Sequence, residues 1–371
     1  MKIVNKIYLD FNATSPILRE VRDFVVPFYD SALNASSIHS FGRDARKILD
    51  DARADIAKSI GAEGADIIFT SSGTESNNLA LKGFKDADYL VISAVEHPSV
   101  LKVADKMEAT ILPVDKNGVV NLKALEKILK NTKGKALVSV MLANNETGVV
   151  QPIKEISQLV LFYKGFIHCD AVQAFGKIPV DFSDLNVDMM TISAHKIGGL
   201  QGASALIVKK GLNINSQIIG GGQESGARAG TENVAAIAAF AKAAKLVEPQ
   251  NSALIDYLEA EVKSFAKDAI IVGEEVERLP NTSCIILQGM LAETQLINFD
   301  LAGIAVSSGS ACTSGKVGKS HVLLAQGYSA KQASEVVRVS IGKETTKQDI
   351  DAFLKVWKSN YEKASNTSKA A

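Results

Sequence analysis

The 371-residue sequence predicts an α/β protein, with a large domain on a mostly parallel sheet and a smaller α+β domain. Three observations carry that expectation. Short apolar or β-branched runs alternate with helical stretches through roughly residue 245. The alternation stops after "IAAFAKAAKLVE". Beyond it the chain turns to a few strands set between longer helices.

Taken in order, the expected strands of the large domain are "DIIFT" (66–70), "YLVIS" (89–93), "TILPV" (110–114), "ALVSVML" (136–142), "GFIHCD" (165–170), "MMTIS" (189–193) and "ASALIV" (203–208). Intervening segments such as "SGTESNNLALKGF" and "QPIKEISQLVLFYK" have the period of helices. The later chain predicts a helix over about 251–268, strands near 269–272 and 283–288, and a polar stretch, "SSGSACTSG" (307–315). A helix near 318–326, the strand "VVRVSIG" and a last helix, "TKQDIDAFLKVWKSNYEK", complete it. The tail "ASNTSKAA" is polar and expected to fray. The large domain is thus expected over 15–250, and the small one over 251–371 joined by 1–14.

Composition narrows the function. Apolar residues make up 46% and charged residues 22%, as in soluble globular proteins. Basic and acidic side chains both number 41, so no basic field points to nucleic acid. No apolar run reaches the roughly 18 residues of a membrane span, and the first residues lack a signal-peptide pattern. Three cysteines, at 169, 284 and 312, show no CxxC spacing and leave one over, which suits a reducing cytoplasm. The five histidines form no HxH or HExxH pair, so no metal site is expected.

Ligands in open α/β sheets sit beyond the carboxyl ends of strands, where the unusual residues of this chain fall. "FTSSGTESNN" runs from a strand through Gly73-Thr74 into a helix, a junction suited to a phosphate, although a plain helix cap explains it as well. Asp170 ends an apolar strand, where it is either an N-cap or a carboxylate awaiting a cation. "TISAHKIGG" ends another with Ser193, His195 and Lys196. That lysine either reaches solvent or is a buried amine able to form an imine. Jointly, a phosphate cradle, an acid for a ring nitrogen and an imine-forming lysine are what pyridoxal phosphate requires. His97, after a strand, is either structural or stacks on an aromatic cofactor. Cys169 and Cys284 lie in apolar strands and are expected to be inert.

With Lys196 placed, the chain resembles the cysteine desulfurases, fold-type I pyridoxal-phosphate enzymes of the class-V aminotransferase superfamily. The resemblance rests on "YLDFNATSP" (8–16), "NASSIHSFGRDAR" (34–46), "FTSSGTESNNLALKG" (69–83), "EHPSVL" (96–101), "NNETGVVQPIKEI" (144–156), "HCDAVQAFGKIPVD" (168–181), "SAHK" (193–196), "GGGQESGARAGTEN" (220–233), "SSGSACTSG" and "RVSIGKETT" (338–346). It implies that Lys196 holds the cofactor covalently, that Asp170 meets its ring nitrogen, and that His97 stacks on the ring with Gln173 and Asn145 on its ring side. It implies that Gly73, Thr74, Ser193 and His195 bind the phosphate, joined by Thr231 from a second subunit of a homodimer. Arg338, with Asn12 and Asn145 nearby, would hold the carboxylate of L-cysteine. Lys196 and His97 would carry protons, and Cys312 would take the sulfur as a persulfide while L-alanine leaves.

Cys312 precedes Arg338 by 26 residues, which resembles the long loop of the iron–sulfur-assembly (NifS/IscS-like) group. The glycines and serines around it would let the thiol reach both cofactor and partner. An iron–sulfur scaffold or another sulfur acceptor, such as a tRNA-thiolation protein, is then the expected partner, with no direct nucleic-acid or membrane contact. The family pattern is altered at Phe11, Ser15, Gly198, Leu200 and Gln201. The remaining readings are a selenocysteine lyase or other class-V enzyme, and a non-catalytic scaffold for sulfur-transfer partners.

Overall fold

Seven strands make the large sheet of the computed structural model, which describes residues 6–308 and 318–370, the side chains of 367–370 excepted. Numbered along the chain, the strands are β1 (Ile7–Tyr8), β2 (Ala65–Thr70), β3 (Tyr89–Ser93), β4 (Thr110–Leu112), β5 (Ala136–Met141), β6 (Phe166–Asp170), β7 (Met189–Ser193), β8 (Ser204–Lys209), β9 (Ile270–Ile271), β10 (Thr282–Ile286), β11 (Ile304–Ala305), β12 (Ser307–Ser308) and β13 (Val336–Ser340). The large sheet has the order β2-β8-β7-β6-β5-β3-β4. Its pairings are parallel except those of β8, which runs against both β2 and β7.

Both faces of this sheet are covered, which is why its strands read as unbroken apolar runs. Val138, Val140, Ile167 and Ile207 pack on one face against Leu49, Ile56 and Phe240. Leu90, Ile92, Leu137 and Leu206 pack on the other against Leu79, Ala80 and Val100. The period of two along each strand thus divides its side chains between two cores.

The second sheet, β12-β13-β10-β9, is antiparallel. Alternation in "VVRVSIG" decides its two faces. Val337 and Val339 point into a core with Phe299, Phe353 and Trp357. Arg338 and Ser340 therefore turn the other way, alongside Cys284, the register partner of Arg338. The N-terminal segment ties the sheets together: β1 pairs with β11, Asp10 bridges to Ser340, and Ser15 N–H donates to His195 O at 2.8 Å.

Several boundaries differ from expectation, and three carry a physical lesson. Strand β4 stops at Leu112 because Pro113 has no N–H to continue the ladder. Helix 251–268 is shorter, Ala253–Phe265. The tail expected to fray instead continues the last helix, Lys347–Ala370. Trp357, Tyr361 and Ala364 pack on the small-sheet core, and this anchored stretch carries the helix into its polar end.

Phe299 and Phe353 stack in that core, ring centroids 4.7 Å apart and fully buried. Phe353→Ala is expected to cost about 3–5 kcal/mol, read as a lowered denaturant midpoint in equilibrium unfolding.

Candidate active site

Strands β2, β3, β5, β6 and β7 point the same way, so their carboxyl ends lie on one side of the sheet. From β3 the chain steps outward to β4, and from β5 it proceeds in the opposite direction to β6 and β7. A switch point of this kind opens a crevice between its strands. There the structure has a cavity of about 260 Å³, lined among others by Gly73, Thr74, His97, Asn145, Asp170, Gln173, Ser193, His195 and Lys196. Nine residues singled out from five separate stretches of sequence are thus neighbours.

Asp170 is buried at the end of β6 and is not a helix cap. Its oxygens accept from Asn77 Nδ2 at 2.7 Å and Val172 N–H at 3.0 Å, both uncharged donors. Asn77 also donates to Ser99 Oγ at 2.9 Å, and Ser99 Oγ lies 2.8 Å from His97 Nδ1. Ser99 N–H donates to the same Nδ1 at 3.1 Å, capping helix Pro98–Lys106. With its Nδ1 lone pair taken, neutral His97 carries its proton on Nε2. Burial lowers its pKa, and Lys196 and His321 add to this against the pull of Asp170.

Lys196 follows β7 on a single turn, Ala194–Lys196. Its Nζ donates to the carbonyls of Asn12 at 2.5 Å and Ala13 at 2.8 Å. Burial, reinforced by Arg338, brings the amine down to about 8 against the partial compensation of Asp10 and Asp170. A usable fraction is therefore unprotonated near neutral pH. His195, brought to about 4 by burial and by Lys196 and Lys177, is a neutral imidazole there. Ser15 Oγ donates to Lys196 O at 2.9 Å. Gly198, at φ +78, is held where a Cβ would strike Leu18. Two of the altered family positions thus shape the lysine's own turn.

Arg338 and Asn12 do not line this cavity; they stand behind it. Asn145 O accepts from Arg338 Nη1 at 2.8 Å and from Asn12 Nδ2 at 3.3 Å. Arg338 Nη2 pairs with Asp10 Oδ1 at 2.5 Å, while its buried Nε has no partner among the described residues. Asn12 is wholly buried, with Oδ1 accepting from Lys177 at 2.7 Å.

The helix over the phosphate end, Gly73–Gly83, begins at Ser72, whose side chain accepts from Glu75 N–H at 3.2 Å. The capping and phosphate readings of this junction are therefore compatible. A Cβ on Gly73 would come within 3.1 Å of Val172 Cγ2, so the missing side chain keeps the cavity floor open. Pyridoxal phosphate fits this donor set. A buried carboxylate held only by neutral donors suits a ring N–H⁺. A glycine-floored helix N-terminus suits a phosphate. A partly neutral lysine suits an aldehyde.

Thr231 is exposed and away from the cavity in this single chain. Cys312, Gly309 and Gly315 lie outside the described residues. Cys169 and Cys284 are fully buried, and burial raises both thiols well above the ordinary range, which leaves them unreactive.

Several residues at the site carry no role in the sequence reading. Asn77 sits one helical turn after Gly73, a spacing that could have found it. Lys177 and Ser99 give no comparable signal. Neither do the buried acids Glu96 and Glu146. Burial raises Glu96 well above the usual carboxyl range and Glu146 to about 7. Glu146 Oε2 accepts from Ser320 Oγ at 2.5 Å, and His321 Nε2 donates to Glu96 O at 3.0 Å. Both contacts anchor the start of helix His321–Ala325 beside His97.

Known proteins resemble this chain throughout. The family model described as aminotransferase class-V matches residues 7–353. A cysteine desulfurase IscS of Dictyoglomus turgidum is 41% identical, covering 95% of this chain and 93% of that protein. A putative cysteine desulfurase IscS 1 of Bacillus subtilis is 39% identical, covering 95% and 97%. The crystal structure of a NifS-like protein from Rickettsia africae superposes with a TM-score of 0.90 at 40% identity, covering 96% of this chain and all of the other.

Two outcomes test the electrostatics. Cofactor-stripped protein mixed with pyridoxal phosphate is expected to form its imine about tenfold more slowly per pH unit below 8, levelling above, as followed by absorbance. Native protein keeps the Glu146 proton up to about pH 7, whereas the unfolded chain releases it near 4.5. Stability therefore falls as pH rises through that window and then levels. Glu146→Gln is expected to remove about 1–3 kcal/mol of this dependence, measured by urea unfolding at pH 5 and 7.5.

Proposed function

The chain belongs to the class-V aminotransferase family of pyridoxal-phosphate enzymes, and on that premise we propose that it is a cysteine desulfurase in which Cys312 receives the sulfur of L-cysteine. The supporting observation is the cavity that gathers a partly neutral Lys196, the Asp170 carboxylate and the N-terminus of helix Gly73–Gly83. When bound, pyridoxal phosphate supplies an electron sink for the pair left on the substrate α-carbon after proton loss.

The residues divide the remaining work. Lys196 would hold the cofactor, and its partly neutral amine would carry a proton as base. His97 offers its Nε2 proton. Asp170 would hold the ring N–H⁺, and Gly73, Thr74, Ser193 and His195 would hold the phosphate. Arg338 binds the substrate carboxylate, with Asn12 and Asn145 fixing its approach. For that the guanidinium must loosen from Asp10 or use its unpaired Nε.

The sulfur step balances without an added oxidant. The Cys312 thiolate attacks the substrate sulfur, the carbon–sulfur bond breaks, and the electron pair returns to carbon, where it is protonated. A thiol and L-cysteine become a persulfide and L-alanine. A second thiol on an acceptor protein then takes the sulfur.

The relatives named cysteine desulfurase IscS support sulfur supply to iron–sulfur assembly; tRNA thiolation is a further outlet that this reading allows. A reducing cytoplasm would keep Cys312 a thiol. No helix among the described residues is long and apolar enough to cross a membrane. The large and small domains divide near residues 14 and 250. The active unit is a homodimer. Exposed Thr231 would then reach the second copy's phosphate, and exposed apolar side chains such as Ile38 and Ile219 would be covered.

Cys312→Ala is expected to bind pyridoxal phosphate, to be fixed on Lys196 by borohydride and to change its spectrum with L-cysteine. Its alanine and sulfide production is expected to fall at least a hundredfold, a loss of about 3 kcal/mol or more in barrier terms. Turnover equal to the parent would remove Cys312 from the mechanism. Formation of pyruvate or glutamate in place of alanine would remove the desulfurase reading itself. Activity confined to selenocysteine would favour the lyase.

A further inference from the structure

Lys177 is a buried cationic residue for which the reaction above has no use. It lies four residues after Gln173 in the turn that follows β6 and is 3% exposed. Its Nζ donates to Gln173 Oε1 at 2.6 Å and Asn12 Oδ1 at 2.7 Å. Neither partner is charged. Burial, with Lys196 and Arg338 nearby, pushes its amine well below the ordinary lysine range. As an ammonium the side chain has three N–H donors and no acceptor, and these two oxygens each take one.

A lysine side chain only donates, so the amide atoms facing it must be oxygens. Gln173 is thereby turned so that its other end, Nε2, is left for Asn12 O, at 2.9 Å, and for the cavity that Gln173 lines. The same contact orients Asn12, whose Nδ2 then reaches Thr282 Oγ1 at 2.9 Å and Asn145 O. One amine thus sets the direction of two amides on the wall between the sheets.

We propose that Lys177 is a positioning residue that makes Gln173 present N–H, and not C=O, towards the cofactor ring. This rests on the reading that the cavity holds pyridoxal phosphate. The cofactor carries a phenolic oxygen that bears negative charge in its imine form. An N–H turned towards such an oxygen stabilises it, and a carbonyl would repel it. A lysine that merely filled space would leave the amide free to take either orientation.

The test is a double-mutant cycle with Lys177→Met, Gln173→Leu and the double variant, each loaded with pyridoxal phosphate. Three quantities are read: the cofactor's dissociation constant, its visible absorption maximum and the melting temperature of the stripped protein. Each single variant is expected to weaken cofactor binding fivefold or more and to displace the absorption maximum in the same direction. The double variant is expected to be no worse than Gln173→Leu. A Lys177→Met protein that binds with wild-type affinity and absorption overturns the proposal, as do effects that multiply in the double variant. Should Lys177→Met not fold, Gln173→Glu puts an oxygen at both ends, and cofactor binding at the wild-type level by that variant overturns the proposal equally. A wild-type protein that takes up no cofactor, or is not fixed on Lys196 by borohydride, instead sinks the underlying reading and the proposal with it.

Discussion

Three basic side chains, Lys177, Lys196 and Arg338, are confined in one buried region at the carboxyl ends of the large sheet, and the site's behaviour follows from that burial, reinforced by their mutual repulsion. Among the described residues, only Arg338 of the three has a carboxylate in direct contact, Asp10. The two lysines are solvated instead by the carbonyls of Asn12 and Ala13 and by the amide oxygens of Asn12 and Gln173. Uncharged oxygens compensate a buried ammonium less fully than a carboxylate would. Burial and neighbouring charge can therefore lower both lysines without unfolding the site. Low-pKa amines in a positive surround suit a phosphate-bearing aldehyde and an amino-acid carboxylate.

That arrangement depends on how the two sheets meet. Arg338 faces the site only because Val337 and Val339 take the opposite face of β13 for the Phe299–Phe353–Trp357 core. The N-terminal segment then joins the halves. Asn12 N–H donates to Ser340 Oγ at 2.9 Å, and Ser15 secures the Lys196 turn a few residues later. Packing in the small-sheet core is thus part of what places the guanidinium.

Much of this is legible in the chain. The strands of the large sheet appear as apolar runs because both faces of the sheet are buried, and the residues following them mark one rim of it. Asn77 could have been read from its place one turn beyond Gly73. Lys177 could not: in "FGKIPVD" it is indistinguishable from a lysine on the surface, since nothing local records that Asn12 lies over it. The last helix runs on through the polar tail for a related reason. Its polar composition is local, whereas the helix is carried by Trp357, Tyr361 and Ala364 against a distant core.

The sequence by itself determined which elements form and which chemical groups stand at their ends, because periodicity and residue identity are local properties. Tertiary structure alone decided the protonation and direction of those groups. A lysine amine near 8, a glutamic acid holding its proton to about 7 and the facing of two amides depend on burial and on partners far along the chain. No stretch of sequence contains those distances.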